Sequence, residues 1–382
     1  MATPVSDPPA PTRRAAVPAL TGLRFFAAAW VVVFHFRNDV GALFPSWAQA
    51  SWFYERGFLG VDLFFILSGF ILAYNYRDRL AGSLDARSYR HFLGLRLARI
   101  YPVHLFTLAV VLLMVVTAQL AGHRLNHTLD HFTAGDFAAQ LALVVAWTSH
   151  APTLDWNYPA WSISAEWAAY LTFPLVALGL RRSRSLLAGL AGASVALAGY
   201  FLVSFWSDSA LVRLAGEFVC GVFLCQIFDH SRPSRVWARV AAATVVLLVV
   251  DLRFIRGTAV LDLAVVMFAV LILALAHEGR GLAAVLSGRR VVFLGEASYA
   301  LYMTHAVVEM AGSSVAPMQA WSGKPVAARV ALLLAYGIVV LAVAIATYLV
   351  VERPSRIWWR RTLIRPEQDA RRETGASQSA RS

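Results

Sequence analysis

The chain has little charge and very little cysteine for a length of 382 residues. Charged residues make up 15% of it, whereas 59% of its residues are hydrophobic and its mean hydropathy is +0.60. The two cysteines, Cys220 and Cys225, lie in one apolar segment and match neither a CxxC metal site nor a redox motif. Two cysteines in a chain of this length are too few for a disulfide-stabilised scaffold. We expect a structural role for both thiols.

Several common catalytic and binding motifs are also missing from the sequence. It contains no Walker A motif, no GxGxxG following a strand and no GxSxG elbow. In the segment HRLNHTLDH, His123, His127 and His131 have a spacing that would line one helical face and could bind zinc. Because this segment lies in a connection of unproven helicity, we predict no metal site.

The positive charge of the chain follows a membrane pattern rather than a nucleic-acid pattern. The formal net charge is +12. Most of the arginines lie in alternate connections between apolar runs, with a bias of about three to one between the two sets. An excess of arginine in the cytoplasmic connections is typical of multi-pass membrane proteins. We therefore predict no nucleic-acid partner and place both termini in the cytoplasm.

Long apolar runs define the predicted fold class, an all-α, polytopic transmembrane helical bundle of about ten spans. Residues 136–150 are apolar but short, and counting them as a span would place the RRSR segment at 181–184 outside the cell. We therefore predict a re-entrant or interfacial helix there. The ten spans are expected near residues 20–36, 58–75, 100–120, 160–180, 186–204, 211–228, 237–252, 258–276, 292–312 and 327–350.

The domain organisation predicted from the sequence is simple. Residues 1–18 are rich in proline and are expected to form a disordered cytoplasmic N-terminus that leads into a retained first helix. Residues 19–356 form a single membrane domain, and residues 357–382 form a basic, polar cytoplasmic tail.

Polar residues within the apolar runs are the candidate site residues, because ionisable groups inside a membrane are costly unless they serve a site. Arg24 and His35 both lie in the first span, about 16 Å apart along a helix axis. Glu166, in the fourth span, is the expected partner of His35, since a carboxylate that orients an imidazole makes it a better general base. Arg96 and Arg99 lie one helical turn apart near the membrane surface, where they would bind a phosphorylated ligand or serve as positive-inside or lipid anchors.

A second group of polar residues is expected to line the cavity. Arg213 and Glu217, four residues apart, either pair within their helix or face the cavity. The candidate lining residues are His305, Tyr302, Asp62, Arg213 and Glu217.

Five blocks, in this order along the chain, resemble the integral-membrane acyltransferase-3 family, and together they extend from about residue 19 to residue 356. One departure from the family pattern is Trp167, which follows Glu166 where a second acidic residue is common. The blocks are Arg24 with His35, GVDLFFILSGF at 60–70, RxxRIYP from Arg96 to Pro102, WSISAEWAAYLTFP at 161–174, and SYALYMTH at 298–305 followed by YLVVERP at 348–354.

This resemblance implies an O-acyltransferase of the bacterial cytoplasmic (inner) membrane. It implies that an acyl group, expected to be acetyl, moves from cytosolic acyl-CoA to a hydroxyl of a saccharide or glycosylated acceptor, such as a cell-surface or exported glycan. His35 and Glu166 would then be catalytic, while Arg24, Arg96 and Arg99 would bind acyl-CoA. Acyl-CoA is a substrate in this reaction, and no bound cofactor is expected.

Three alternatives stay open from the sequence. The acceptor could be a macrolide-type small glycoside, or the protein could be a transporter or flippase without acyl transfer, in which the intramembrane charges form a solute path. A non-catalytic membrane scaffold is a third alternative. It is disfavoured because it leaves Arg24 and His35 unexplained.

Overall fold

The computed structural model describes residues 14–82, 85–122, 132–148, 156–180, 184–204, 209–255, 259–277 and 279–362. Throughout these ranges the regular structure is helical, and no strand occurs in them. This confirms the predicted helical bundle. Three predictions concern segments outside the described residues. These segments are residues 1–13, the histidine segment at 123–131, and the part of the predicted tail from residue 363 onward.

Ten helices form the body of the bundle, and nine of the ten predicted spans each coincide with one of them, while the span at 292–312 is divided between α14 (Arg289–Glu296) and α15 (Ser298–Val315). Apolar runs of this length favour helices in a membrane because a helix satisfies every backbone hydrogen bond within the segment. The ten are α1 (Pro18–His35), α4 (Leu59–Gly82), α5 (Ala86–Leu120), α8 (Ala160–Gly179), α9 (Leu186–Ser204), α10 (Ala210–His230), α11 (Val236–Phe254), α12 (Ala259–His277), α15 (Ser298–Val315) and α16 (Val326–Thr347).

Six stretches of helix are long and apolar enough to cross a membrane, and the number is up to seven if a bent pair counts as one span. The count of about ten spans therefore stays a prediction. The six are Pro18–His35, Ser51–Asp78, Ala86–Leu120, Leu186–Val203, Ala210–His230 and Val326–Thr362.

Short helices connect the long ones at both ends of the bundle. The segment predicted to be re-entrant or interfacial forms two pieces of eight and four residues, each too short to span a bilayer. The short helices are α2 (Arg37–Leu43), α3 (Ser51–Tyr54), α6 (Ala134–Leu141), α7 (Val145–Thr148), α13 (Leu282–Leu286) and α14 (Arg289–Glu296).

The run predicted as a span at 292–312 is broken. Helices α14 and α15 meet at Ala297 with a bend of 58°. Gly295 of α14 lies so close to the backbone of Thr21 that an added Cβ would overlap its carbonyl oxygen. This close approach seats α14 against the beginning of α1, while Arg289 and Arg290 stay exposed.

Helix α5 begins at a cap that sets the position of its arginines. The Asp85 carboxylate accepts a hydrogen bond of 2.6 Å from the backbone N–H of Ser88, which satisfies one of the free donors at the helix start. Hydrogen bonds from Ser88 hold the pKa of the Asp85 carboxyl below its ordinary value. From this cap, α5 carries Arg96 and Arg99 into the bundle.

Helices α4 and α10 cross in close contact because glycine lies on both sides of the crossing. A Cβ on Gly69 would overlap the carbonyl oxygen of Phe218, and one on Gly221 would overlap that of Ile66. Small residues of this kind let helix backbones approach one another in a membrane, where van der Waals packing contributes much of the association energy.

We expect Gly221→Ala to destabilise the bundle by about 1–3 kcal/mol, because the added methyl group must push α4 and α10 apart. Thermal unfolding of the purified protein in detergent, followed by size-exclusion chromatography, measures the effect. Gly199→Ala on α9 is the matched control, since a Cβ there meets open space. Equal melting temperatures for the two variants would contradict this description of the crossing.

Candidate functional site

A pocket inside the bundle brings together three of the arginines singled out in the sequence and one carboxylate. Arg24 comes from α1, Arg96 and Arg99 from α5, and Glu166 from α8. These groups give the pocket an excess of positive charge. Its other polar lining residues are hydroxyl-bearing: Ser68, Ser162, Tyr170, Ser298, Tyr299 and Tyr302.

Two of the arginines are free to bind a ligand. Within the described ranges, no carboxylate lies within 4.0 Å of the guanidinium of Arg24 or Arg99. Arg96 instead donates a hydrogen bond of 2.6 Å to the hydroxyl of Tyr76 and lies over its ring. The pocket therefore presents guanidinium groups to its interior, and guanidinium binds phosphate or carboxylate through paired hydrogen bonds.

Glu166 belongs to this pocket rather than to His35. Its Oε1 atom accepts hydrogen bonds of 2.6 Å from both the Ser68 and Tyr170 hydroxyls. In the described part of the chain, no hydrogen bond joins Glu166 to His35. The expected pair is thus not formed, because the two residues lie in different polar clusters.

His35 lies at the end of α1, in a cluster of three rings. Its ring centroid is 5.0 Å from that of His305 and 4.6 Å from that of Tyr158. His305 is fully buried, and in the described part of the chain its ring nitrogens make no side-chain hydrogen bond, although the backbone carbonyls of Leu301 and Tyr302, one turn earlier on α15, act on the ring. The expectation that His305 and His35 share a cavity is consistent with this contact. A buried imidazole without a side-chain partner is able to accept a proton from, or donate one to, a bound molecule.

Tyr302 connects the two clusters. Its hydroxyl lies 2.7 Å from the Ser162 hydroxyl at the wall of the arginine pocket. Its ring centroid is 5.9 Å from that of His305. Tyr302 therefore lies between the pocket, which it lines, and the histidines, which do not line it.

Asp62, Arg213 and Glu217 do not line this pocket. Arg213 donates a hydrogen bond of 2.6 Å to Asp62 across the α4–α10 interface, in place of the pair with Glu217 considered from the sequence. Glu217 is fully buried within hydrogen-bond reach of Asp62. One guanidinium thus faces two carboxyl groups, an arrangement that ties two helices together.

The sequence reasoning missed two residues of the histidine cluster. Neither Tyr158 nor Glu309 is among the candidate site residues taken from the sequence. Tyr158 donates a hydrogen bond of 2.5 Å to the Glu309 carboxylate. The available signal was a carboxylate in the apolar α15, since such groups have a partner in most membrane proteins.

The described residues hold no group of three or more His, Cys, Asp or Glu side chains arranged to bind a metal ion. The segment with His123, His127 and His131 lies outside these residues, so the prediction for it stays a prediction.

Comparison with known proteins places this bundle in a family. Residues 17–349 match a family of acyltransferase domains. The chain is 30% identical over 380 residues to the acyltransferase MdmB of Streptomyces mycarofaciens, an alignment that covers 86% of this chain and 89% of that protein.

Two further relatives match over shorter stretches. The name of one states an acyltransferase activity, and the name of the other states no activity. The chain is 29% identical over 173 residues to the O-acetyltransferase OatA of Staphylococcus aureus, covering 42% of this chain and 24% of OatA. It is also 29% identical over 142 residues to protein 2 of the picA locus of Rhizobium radiobacter, covering 35% and 72%. No solved structure matches the chain. The family match and the similarity to MdmB confirm the resemblance found in the motifs: the chain belongs to the acyltransferase-3 family and is a membrane-embedded O-acyltransferase.

Proposed function

We propose that this O-acyltransferase moves an acetyl group from cytosolic acetyl-CoA to a hydroxyl of a saccharide or glycosylated acceptor in the bacterial cytoplasmic (inner) membrane. The observation that carries the proposal is the pocket in which Arg24, Arg96 and Arg99 converge, none of them paired with a carboxylate of the described residues. The naming of one relative as an O-acetyltransferase supports acetyl as the transferred group.

The arginines are suited to the phosphates of coenzyme A. Each guanidinium can give two parallel hydrogen bonds to a phosphate, and these bonds are strong in a site that excludes water. Arg24 lies in the second turn of α1, and Arg96 and Arg99 lie in the first half of α5, so the guanidiniums are nearer the helix ends that the arginine bias assigns to the cytoplasm. The thioester end of the donor would then point toward Tyr302 and the histidines.

His35 is proposed as the general base. It removes the proton from the acceptor hydroxyl, and the oxygen attacks the thioester carbonyl carbon. The carbon–sulfur bond then breaks, and the leaving thiolate takes the proton from the imidazolium to give the CoA thiol and the ester. His305 lies against the His35 ring on its buried side and is placed to hold it in orientation. Positioning both reactants supplies a large part of such a rate gain.

Glu166 is proposed to support the donor site. With Ser68 and Tyr170 bound to one of its oxygens, its negative charge reduces the repulsion among the three guanidinium groups. This role replaces the orientation of His35 that the sequence suggested for it.

We expect His35→Ala to lower the rate of CoA release from acetyl-CoA by at least ~100-fold, because general-base catalysis contributes on this scale. A thiol reagent measures the release with purified protein in lipid nanodiscs. His230→Ala, at an exposed site at the end of α10, is the matched control and should keep wild-type activity. Full activity of a folded His35→Ala protein would contradict the proposal.

We expect Arg99→Ala to raise the KM for acetyl-CoA ~10- to 100-fold with a smaller change in kcat, since it removes a charge-assisted hydrogen bond to the donor. Initial rates over a range of acetyl-CoA concentrations give both constants. The control is Arg290→Ala, which removes an exposed arginine outside the pocket. An unchanged KM in Arg99→Ala would argue against donor binding in this pocket.

A further inference from the structure

The carboxylate of Glu309 lies beside the proposed catalytic histidines, does not line the donor pocket, and forms no ion pair with any described residue. Glu309 follows His305 by one turn on α15, so the two side chains share a helix face about 6 Å apart along the axis. Unlike the fully buried His305, Glu309 is partly exposed. It therefore stands between the histidine cluster and the outside of the bundle.

The position of Glu309 is fixed by Tyr158. The tyrosine hydroxyl donates to Oε2 of Glu309, and the same tyrosine ring packs against His35. Tyr158 thus occupies one oxygen of the carboxylate and fixes its position relative to His35. Among the described residues, Oε2 is the Glu309 atom that has a hydrogen-bond donor, which leaves Oε1 for a ligand.

The charged groups around Glu309 leave a negative excess. Those that act on it are Asp39 and Arg37 of α2. Asp39 accepts a hydrogen bond of 2.6 Å from Gln319, and the Arg37 guanidinium is engaged with the Phe34 carbonyl and ring. Within the described ranges, no cation lies within 4.0 Å of Glu309. Two carboxylates against one arginine favour a neutral or cationic ligand over an anionic one.

We propose that Glu309 is the acceptor-recognition residue: it binds a hydroxyl or amine next to the hydroxyl that is acylated, and it rejects acceptors with a negative charge there. This inference rests on the proposed function, because it takes His35 as the base. A carboxylate oxygen accepts hydrogen bonds from the hydroxyl of a polyol or from a protonated amine, but it repels a carboxylate or phosphate. The donor and acceptor sites then have opposite charge, positive around Arg24 and Arg99 and negative around Glu309.

The experiment compares three acceptors in the full-length protein in nanodiscs. The probes are methyl β-D-glucopyranoside, its 2-amino analogue and methyl β-D-glucuronide, each added with acetyl-CoA while CoA release is followed. We expect the wild type to use the neutral or amino glycoside at least ~10-fold better, by kcat/KM, than the glucuronide. In Glu309→Gln this ratio should fall toward one, while the KM for acetyl-CoA stays at its wild-type value.

The ratio is measured within one sample, so partial loss of folded protein does not change it. Glu296→Gln is the matched control, because Glu296 also accepts a tyrosine hydrogen bond, of 2.7 Å from Tyr348, and does not line the donor pocket. Its ratio should equal that of the wild type. Glu309→Asp should recover part of the selectivity, since it restores the charge.

The outcomes separate the inference from the function on which it rests. Equal use of the glucuronide by the wild type, an unchanged ratio in Glu309→Gln, or CoA release that no glycoside accelerates would each overturn the role of Glu309. A wild type that neither binds nor consumes acetyl-CoA would overturn the proposed function, and this inference with it.

Discussion

The cost of holding arginine inside a membrane governs the arrangement of this protein. Placing a guanidinium at the centre of a bilayer costs about 3 kcal/mol on insertion scales, so a bundle with three of them in one pocket must surround them with polar groups. Glu166, Tyr76 and a wall of hydroxyls do so only in part. None of the three guanidiniums has an ion-pair partner among the described residues, and an anionic donor would complete their neutralisation.

The polar residues inside the bundle form separate clusters that differ in charge and in the side chains they contain. The arginine pocket is positive, whereas the histidine cluster leads to the carboxylate of Glu309. Tyr302, bound to Ser162, lies between them and keeps the two charges apart. The third cluster, centred on the Arg213–Asp62 ion pair, links α4 and α10 next to their glycine contact. In the proposed reaction two substrates of different chemistry meet at one base, and this separation would give each substrate its own side.

Apolar run length was sufficient to predict the long helices, since all but one of the runs of about 20 residues coincide with a single helix. The break between α14 and α15 was not predictable, because it depends on the backbone contact of Gly295 with α1. Likewise, the family resemblance grouped Arg24 with Arg96 and Arg99 as donor-binding residues, but the sequence did not identify the side chains that contact His35. Which buried carboxylate meets which imidazole is decided by helix rotation and depth, and these place Glu166 among the arginines and Glu309 near the histidines.

In the proposed mechanism, one donor molecule binds the arginines and reaches His35. A cryo-EM structure of the protein with a non-hydrolysable acetyl-CoA analogue, in which a methylene replaces the thioester sulfur, tests it most directly. We expect the phosphates to contact Arg24 and Arg99, and the ketone carbon to lie beyond Tyr302, next to the His35 ring. Analogue density outside the pocket, or an acyl end pointing away from the histidines, would contradict it.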